Sequence, residues 1–517
     1  MNIEDLEIER LELQATLDGQ KTSADRNKMG QFATPTALAR EVLRYGVGLL
    51  GGETIRFIDP AVGTGSFYSA LLATTSAGRI EKAVGFEIDP HYGGPAAGLW
   101  DDADIEYRMG DFTAQAPDPS FNLLICNPPY VRHHHIANED KARLQLASAR
   151  TVGRKLSGLA GLYVYFMALA HGWMKEGGVA GWLIPSEFMD VNYGREIKRY
   201  LLEDVTLLRI HRYDPNDVQF DDALVSSAVV WIRKRKPDRD HEVEFSFGGT
   251  LERPALVKNV SVRDLAKESK WTRFPSQEVR SGKREPVVSD FFQIKRGIAT
   301  GDNKFFILTE DQIAEHDLPM NAFRPILPSP RYLKVDEIRS GDDGVPLIDK
   351  RLFLLDARES EEKIAASSPS LHRYLEAGRL GRLHEGYLCS RRSPWYVQEK
   401  RDPPPIVCTY LGRSDKKSGR PFRFILNDSS ATIANVYLGM YPKAPLLAAM
   451  ERDPTAIRRA WQALNAISPE QLLGEGRVYG GGLHKLEPKE LANVPVPELA
   501  DLLDVTQEQG ELLEAAE

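Results

Sequence analysis

The sequence predicts an α/β protein in its first half, built on an open and largely parallel sheet with helices on both faces, followed by an α+β region. Three observations carry that reading. Strand and helix signals alternate from residue 56 to residue 187, the pattern of parallel strands joined by crossover helices. The apolar run Phe121-Asn-Leu-Leu-Ile-Cys126 reads as a buried parallel strand, and the two prolines after it cannot extend it. Past a charged segment at 233–239 the spacing of strands and loops becomes irregular, with many prolines and no visible internal repeat.

Taken in order, residues 3–17 carry helical periodicity with many acids and predict a surface helix packed on the first domain. Residues 55–67 predict a short strand and a tight glycine turn, leading into a helix over 67–75. Residues 82–89 predict a second strand ending in acids, and 105–109 a third that runs into Gly110-Asp111-Phe112. The apolar stretch 161–175, with Tyr163, Tyr165 and Phe166, predicts a long helix whose stripe is explained by core packing. Gly177 and Gly178 should end it, and 179–184 should form the next strand. From 205 to 233 two apolar runs flank the polar loop 214–222, predicting an antiparallel hairpin at the sheet edge.

At 517 residues, 42% of them hydrophobic, the chain can bury more than one core. No apolar run reaches membrane-spanning length, and the acidic start Met-Asn-Ile-Glu-Asp-Leu-Glu is unlike a signal peptide. Three cysteines, an odd number without metal-ligand spacing, indicate neither a disulfide framework nor a zinc site. A reducing cytoplasm is the simplest expectation, with no membrane partner and no metal.

The chemistry concentrates at Asn127-Pro-Pro-Tyr130. This turn follows the carboxyl end of a strand, where open α/β sheets bind ligands. The nitrogen of an amide or exocyclic amine is a poor nucleophile because its lone pair is delocalised. The side-chain oxygen of Asn127 and the carbonyl of Pro128 could accept hydrogen bonds from such an NH2 group and draw the lone pair out of conjugation, while Tyr130 offers a stacking face. Asn-Pro-Pro also makes ordinary turns. Upstream, Gly63 and Gly65 let the backbone pass close to a ligand, although Tyr68 replaces the third glycine of the dinucleotide fingerprint. The acid-ending strand at Glu87 suits the hydroxyls of a ribose, and Asp111 with Phe112 could bracket an adenine ring. His133, His134 and His135 cannot all face one metal from a regular element, which favours nucleic-acid contacts for them. Cys126 ends an apolar strand and is expected to be buried rather than nucleophilic.

These four blocks, in this order and spacing, resemble the S-adenosylmethionine-dependent amino-methyltransferases, and more narrowly the DNA N6-adenine methyltransferases of type II restriction-modification systems, with a layout similar to their gamma subgroup. The resemblance extends to residues 30–42, similar to the family's amino-terminal block, and to residues 291–308 and 479–486, similar to its target-recognition segments. It implies a Rossmann-like methyltransferase fold with a mixed seven-stranded sheet and an α+β target-recognition domain. The implied layout is a helical extension (1–28), a catalytic domain (29–239), a connecting segment (240–290), a recognition domain (291–500) and an acidic tail (501–517). It further implies that S-adenosylmethionine is held by Thr34, Asp59, Ala61, Gly63, Gly65, Glu87, Asp111 and Phe112. Asn127, Pro128 and Tyr130 would be catalytic, and a flipped adenine would lie between Tyr130 and Phe220. Phe220 could instead fold back on the core.

Double-stranded DNA is then the expected partner, met by Arg132, His133, Lys416, Lys417, Arg420 and Lys485. The net charge of -8 excludes a protein that is basic all over, but a single positive cleft is enough. The basic loop 413–423 reads either as a solvated loop or as a phosphate contact, and residues 233–236 as the polar end of the first domain. A separate cognate restriction endonuclease and a monomeric state are expected, and relatives with similar recognition segments often methylate short palindromes with a TCGA core. The alternatives are a protein-glutamine or RNA methyltransferase, which use the same tetrapeptide but usually lack so large a following domain, and a noncatalytic specificity module.

Overall fold

Residues 2–214, 227–275, 285–413, 420–479 and 483–499 are described in the computed structural model. The chain forms two compact units, residues 1–281 with 479–481, and residues 282–478 with 482–517.

In the first unit the described strands are β1 (Ile55–Asp59), β2 (Ile80–Glu87), β3 (Glu106–Met109), β4 (Phe121–Cys126), β5 (Met174–Pro185), β6 (Thr206–Arg212), β7 (Ser227–Arg233), β8 (Glu242–Gly249) and β9 (Pro254–Ser261). They make one sheet in the order β3-β2-β1-β4-β5-β7-β6-β8-β9. The first five are parallel, and β7 runs antiparallel between β5 and β6. Every residue of β4 is buried, which explains its apolar sequence; the one polar residue, Asn122, has its amide bonded to the backbone at Thr54 and Arg56. β1 lies between β2 and β4, so the chain leaves it in one direction and returns on its other side. The carboxyl ends of β1, β2 and β4 therefore open onto a topological switch point, the place where a ligand meets such a sheet.

This arrangement is the S-adenosylmethionine-dependent methyltransferase fold, with three departures from expectation. The sheet has nine described strands rather than seven. Residues 242–261, expected in a connector, supply β8 and β9: β8 pairs in parallel with β6, and Val243, Phe245 and Val260 enter the core. The pair β6–β7 is consequently internal rather than at the edge. The helix expected over 161–175 stops at Ala170, and β5 already begins at Met174, with Gly177 and Gly178 inside it.

The amino-terminal helix α1 (Ile3–Gly19) is anchored more firmly than a surface helix. Arg10 and Glu7 are 1% and 4% exposed and form a bidentate pair. Arg10 also donates to Thr64 Oγ1 at 3.1 Å, and Ser69 donates to Glu7. A buried pair offsets its desolvation only when its remaining hydrogen bonds are met, as they are here. Helix α2 (Ser23–Met29) follows, and ends at Gly30.

The second unit contains a five-stranded sheet in the order Phe292–Arg296, Tyr437–Pro442, Ile406–Thr409, Phe424–Asn427, Glu337–Ile338. A three-stranded sheet joins Ile307–Leu308, Leu352–Leu355 and Phe323–Ile326. Of the segment 291–308, Phe306 is buried and the Asp302 carboxylate accepts the N–H groups of Lys304 and Phe305, so these residues build the unit's core and a turn. No described helix is long and apolar enough to cross a membrane.

Candidate active site

The Asn-Pro-Pro-Tyr turn leaves β4 at Asn127, whose side chain is fixed from one end. Asn127 Nδ2 donates to the Phe32 carbonyl at 3.0 Å and to Thr34 Oγ1 at 3.1 Å. This settles which end of the amide is nitrogen and leaves Oδ1 buried without a hydrogen-bond partner. Buried acceptors are rarely left unmet, and one beside a second acceptor is the arrangement an NH2 group would satisfy. No donor among the described residues reaches the Pro128 carbonyl.

Tyr130 is 9% exposed, with its ring 5.6 Å from that of Phe32 and its hydroxyl donating to the Leu183 carbonyl at 3.2 Å. Burial pushes its hydroxyl far above the ordinary range, so it stays neutral. Its backbone N–H donates to the Gly30 carbonyl. Gly30 has φ +66°, and a Cβ there would meet the Tyr130 nitrogen at 2.3 Å, so only glycine lets these two segments pass. Cys126 is fully buried, and burial together with the Asp59 charge holds its thiol well above its usual range, which suits a packed residue and not a nucleophile.

The acids of the glycine turn sit on adjacent strand ends. Asp59 is 1% exposed, and its Oδ1 accepts the Ala61 N–H at 3.1 Å. Burial pushes its carboxyl up to about 7, the nearby Glu87 charge adding to the effect. Glu87 accepts the N–H groups of Gly63 at 3.1 Å and Asp89 at 2.7 Å, and burial raises its pKa as well. Gly63 has φ +57° with open space where a Cβ would stand, as a loop that receives a ligand requires. A buried acid and a half-buried one around an open glycine turn fit a cationic ligand bearing hydroxyls, and S-adenosylmethionine is one.

Several expected cofactor residues have other duties. Gly65 is not open: a Cβ there would meet the Trp100 indole nitrogen at 2.5 Å. The Phe112 ring is 2% exposed and packs against Phe86, Phe166 and Trp173, so it cannot bracket an adenine. Asp111 caps its own turn through Thr113 and accepts from Arg143 Nη2 at 3.0 Å. Thr34, 6% exposed, spends its hydroxyl on Asn127. Thr34→Val should therefore lower turnover by about tenfold, as expected for one loosened hydrogen bond, and leave cofactor affinity unchanged. Titration calorimetry beside single-turnover kinetics separates the outcomes, and a fall in affinity alone would return Thr34 to the cofactor.

The sequence reading missed four residues. Ile88 is 59% exposed between two acids, an apolar side chain that could cover a planar ring. Its signal was its position at the end of a parallel strand. Lys21 and Gln31 both donate to Asp89 Oδ2, and these bonds outweigh burial to hold that carboxyl low. Arg143, paired with Asp111, is the fourth, and nothing in its sequence neighbourhood marks it.

Arg132 is exposed and His133 partly so at the start of a short turn after Asn127-Pro-Pro-Tyr130, where burial and the neighbouring His134 lower the His133 pKa. Lys485 is not a free charge: it pairs with Glu487 at 2.7 Å and lies 5.2 Å from the Tyr410 ring centroid. Arg420 is partly exposed. Phe220, Lys416 and Lys417 lie outside the described residues.

Comparison with known proteins covers both units. Residues 99–219 match the family described as Eco57I restriction-modification methylase, and residues 272–516 match the C-terminal domain of Type II methyltransferase M.Eco57I. Type II methyltransferase M.XamI of Xanthomonas campestris pv. amaranthicola is 28% identical over 92% of this chain and 86% of its own length. M.AccI of Acinetobacter calcoaceticus is 25% identical over 90% and 85%. Among solved structures, the DrdV–DNA complex has a TM-score of 0.48 at 14% identity, covering 95% of this chain and 58% of the other. The type IIL restriction-modification enzyme MmeI in complex with DNA also scores 0.48 at 14% identity, covering 80% and 60%. The chain thus spans less than two thirds of those longer enzymes.

Proposed function

Because the chain is a type II restriction-modification methyltransferase that uses S-adenosylmethionine, we propose that it methylates the N6 amino group of adenine in duplex DNA. The observation that carries this reading is the partnerless Oδ1 of Asn127, held in place by the bonds its amide nitrogen donates to Phe32 and Thr34. Oδ1 and the Pro128 carbonyl accept the two N–H groups of an extruded base. The nitrogen lone pair, drawn out of conjugation, is then free to attack. Bound S-adenosylmethionine supplies an electrophilic methyl carbon on its sulfonium. The methyl carbon would pass to the nitrogen as its C–S bond broke to a neutral thioether, and the nitrogen would lose one proton to solvent. Tyr130, neutral and packed on Phe32, offers its ring edge to the base, while Glu87 and the Gly63 turn hold the donor. Phe112 contributes to the cofactor through its backbone, and Asp111 through an oxygen it shares with Arg143. Residues 291–500 carry target recognition, a cognate endonuclease is a separate polypeptide, and the enzyme works as a cytoplasmic monomer.

The test is the product. Nucleoside analysis of treated duplex should return N6-methyladenine, and sequencing with modified-base calling should place it at one short site, with a TCGA core expected. N4-methylcytosine would overturn the base assignment, because the same acceptor pair serves that amino group too. Transfer to protein or RNA with DNA unmodified would favour the alternative substrates.

A further inference from the structure

Within the second unit, the end of strand Phe323–Ile326 and the segments around 400 and 430 enclose a pocket of about 340 Å³. Four cations line it, Arg324, Arg358, Lys400 and Arg401, against two acids, Asp356 and Asp402. Asp356 lies at ion-pair distance from two of them, 3.4 Å from Arg324 and 2.8 Å from Arg358, though its buried Oδ1 makes no hydrogen bond among the described residues, and Arg401 pairs with Glu399 at 2.6 Å. The Arg324 guanidinium also donates to the carbonyls of Arg401 and Glu399, at 3.1 and 2.8 Å, which fixes the pocket wall. Lys400 is exposed and makes no ion pair with any described residue.

A second observation is independent of charge. Thr432 lines the same pocket, is 1% exposed, and its hydroxyl oxygen has no hydrogen-bond partner among the described residues. Arg401 Nε, on the same wall, is likewise buried and unpartnered. Leaving a hydroxyl and a guanidinium N–H unmet in a buried site is costly, and a ligand oxygen that accepts from both would remove the cost. An oxyanion does so and also meets the uncompensated Lys400 charge. The volume exceeds what a lone oxyanion fills, leaving room for groups attached to it.

We propose that this pocket receives a backbone phosphate of bound DNA, an inference that rests on the DNA-methyltransferase reading above. Lys400 and Arg358 supply the charge at its mouth, and Thr432 with Arg401 Nε the fixed donors at its wall. The contact positions the unit on the duplex and carries no sequence information by itself.

The full-length protein with S-adenosylmethionine, titrated with a labelled mixed-sequence duplex at several salt concentrations, tests it. Arg358 and Lys400 are exposed, so the double variant Arg358→Ala, Lys400→Ala keeps the fold. Its plot of log affinity against log salt should be flatter by about 0.9 for each phosphate that is no longer neutralised, with the methylated site unchanged. Thr432→Val removes a donor of similar volume and no charge. It should weaken binding by roughly threefold to tenfold at every salt concentration and leave the slope as it was. Wild-type slope in the double variant together with wild-type affinity in Thr432→Val overturns the proposal. Tight calorimetric binding of inorganic phosphate that both variants lose, with DNA binding intact, also overturns it by making the pocket a free-anion site. Failure of the wild-type protein to bind or methylate duplex DNA removes the functional reading and this inference together, and is distinguishable because no variant is involved.

Discussion

Asn127→Ala is expected to lower turnover by about a hundredfold or more, near 2.7 kcal/mol of lost transition-state stabilisation, as for removal of one preorganised group aimed at developing charge. The side chain is nearly an ideal case for such a loss. Its nitrogen is committed to Phe32 and Thr34, and its oxygen has no hydrogen-bond partner among the described residues. Affinity for cofactor and for DNA should largely survive, because Oδ1 meets only the amino group of the extruded base and none of the cofactor or DNA-backbone contacts. Asn127→Asp sharpens the test. It keeps acceptors of the same shape but cannot donate to the Phe32 carbonyl, so it should also be strongly impaired although an acceptor is present. Near-normal turnover in the alanine variant would mean that the turn is structural.

Glu87→Ala is expected to weaken S-adenosylmethionine binding by about 1.5 to 3 kcal/mol, roughly tenfold to over a hundredfold, the range for a hydrogen bond to a charged acceptor. The structure adds a reason beyond the missing bond to the ligand. The carboxylate accepts the N–H groups of Gly63 and Asp89, so removing it also releases the glycine turn from β2. Glu87→Gln separates the two roles: one end keeps an acceptor for the loop while the charge is gone. Calorimetric titration of both variants decides it. Unchanged affinity in both would move the cofactor away from this strand end.

The parts of the fold set by local pattern were legible in the sequence. β1, β2 and β4 and the turns at their ends follow from apolar runs that stop at glycine, acid or proline, and the turn after β4 follows from two consecutive prolines. What could not be read depended on partners distant in sequence. A run such as Glu242–Gly249 alternates like many strands, and only its pairing with β6 makes it part of the first sheet rather than a connector. Phe112 looked like a ligand contact because it follows Asp111, but side-chain direction is set by packing, and Phe86, Phe166 and Trp173 claim the ring. The same limit hid Thr34, whose partner lies 93 positions away.

The ties of the amino-terminal arm reach far along the chain: 54 positions from Arg10 to Thr64, 68 from Lys21 to Asp89, 95 from Asn127 back to Phe32. Contacts of such separation close late in folding, since loop-closure entropy is met before they stabilise anything. They join the glycine turn and the end of β2, at Thr64 and Asp89, to the turn after β4, at Asn127 and Tyr130, through a short stretch with no strand partner of its own. On warming, such a stretch can lift from the sheet as a unit before the sheet melts. Methyl transfer would then fade at temperatures where the circular-dichroism signal of the sheet is still that of the native protein, and return on cooling without refolding of the core.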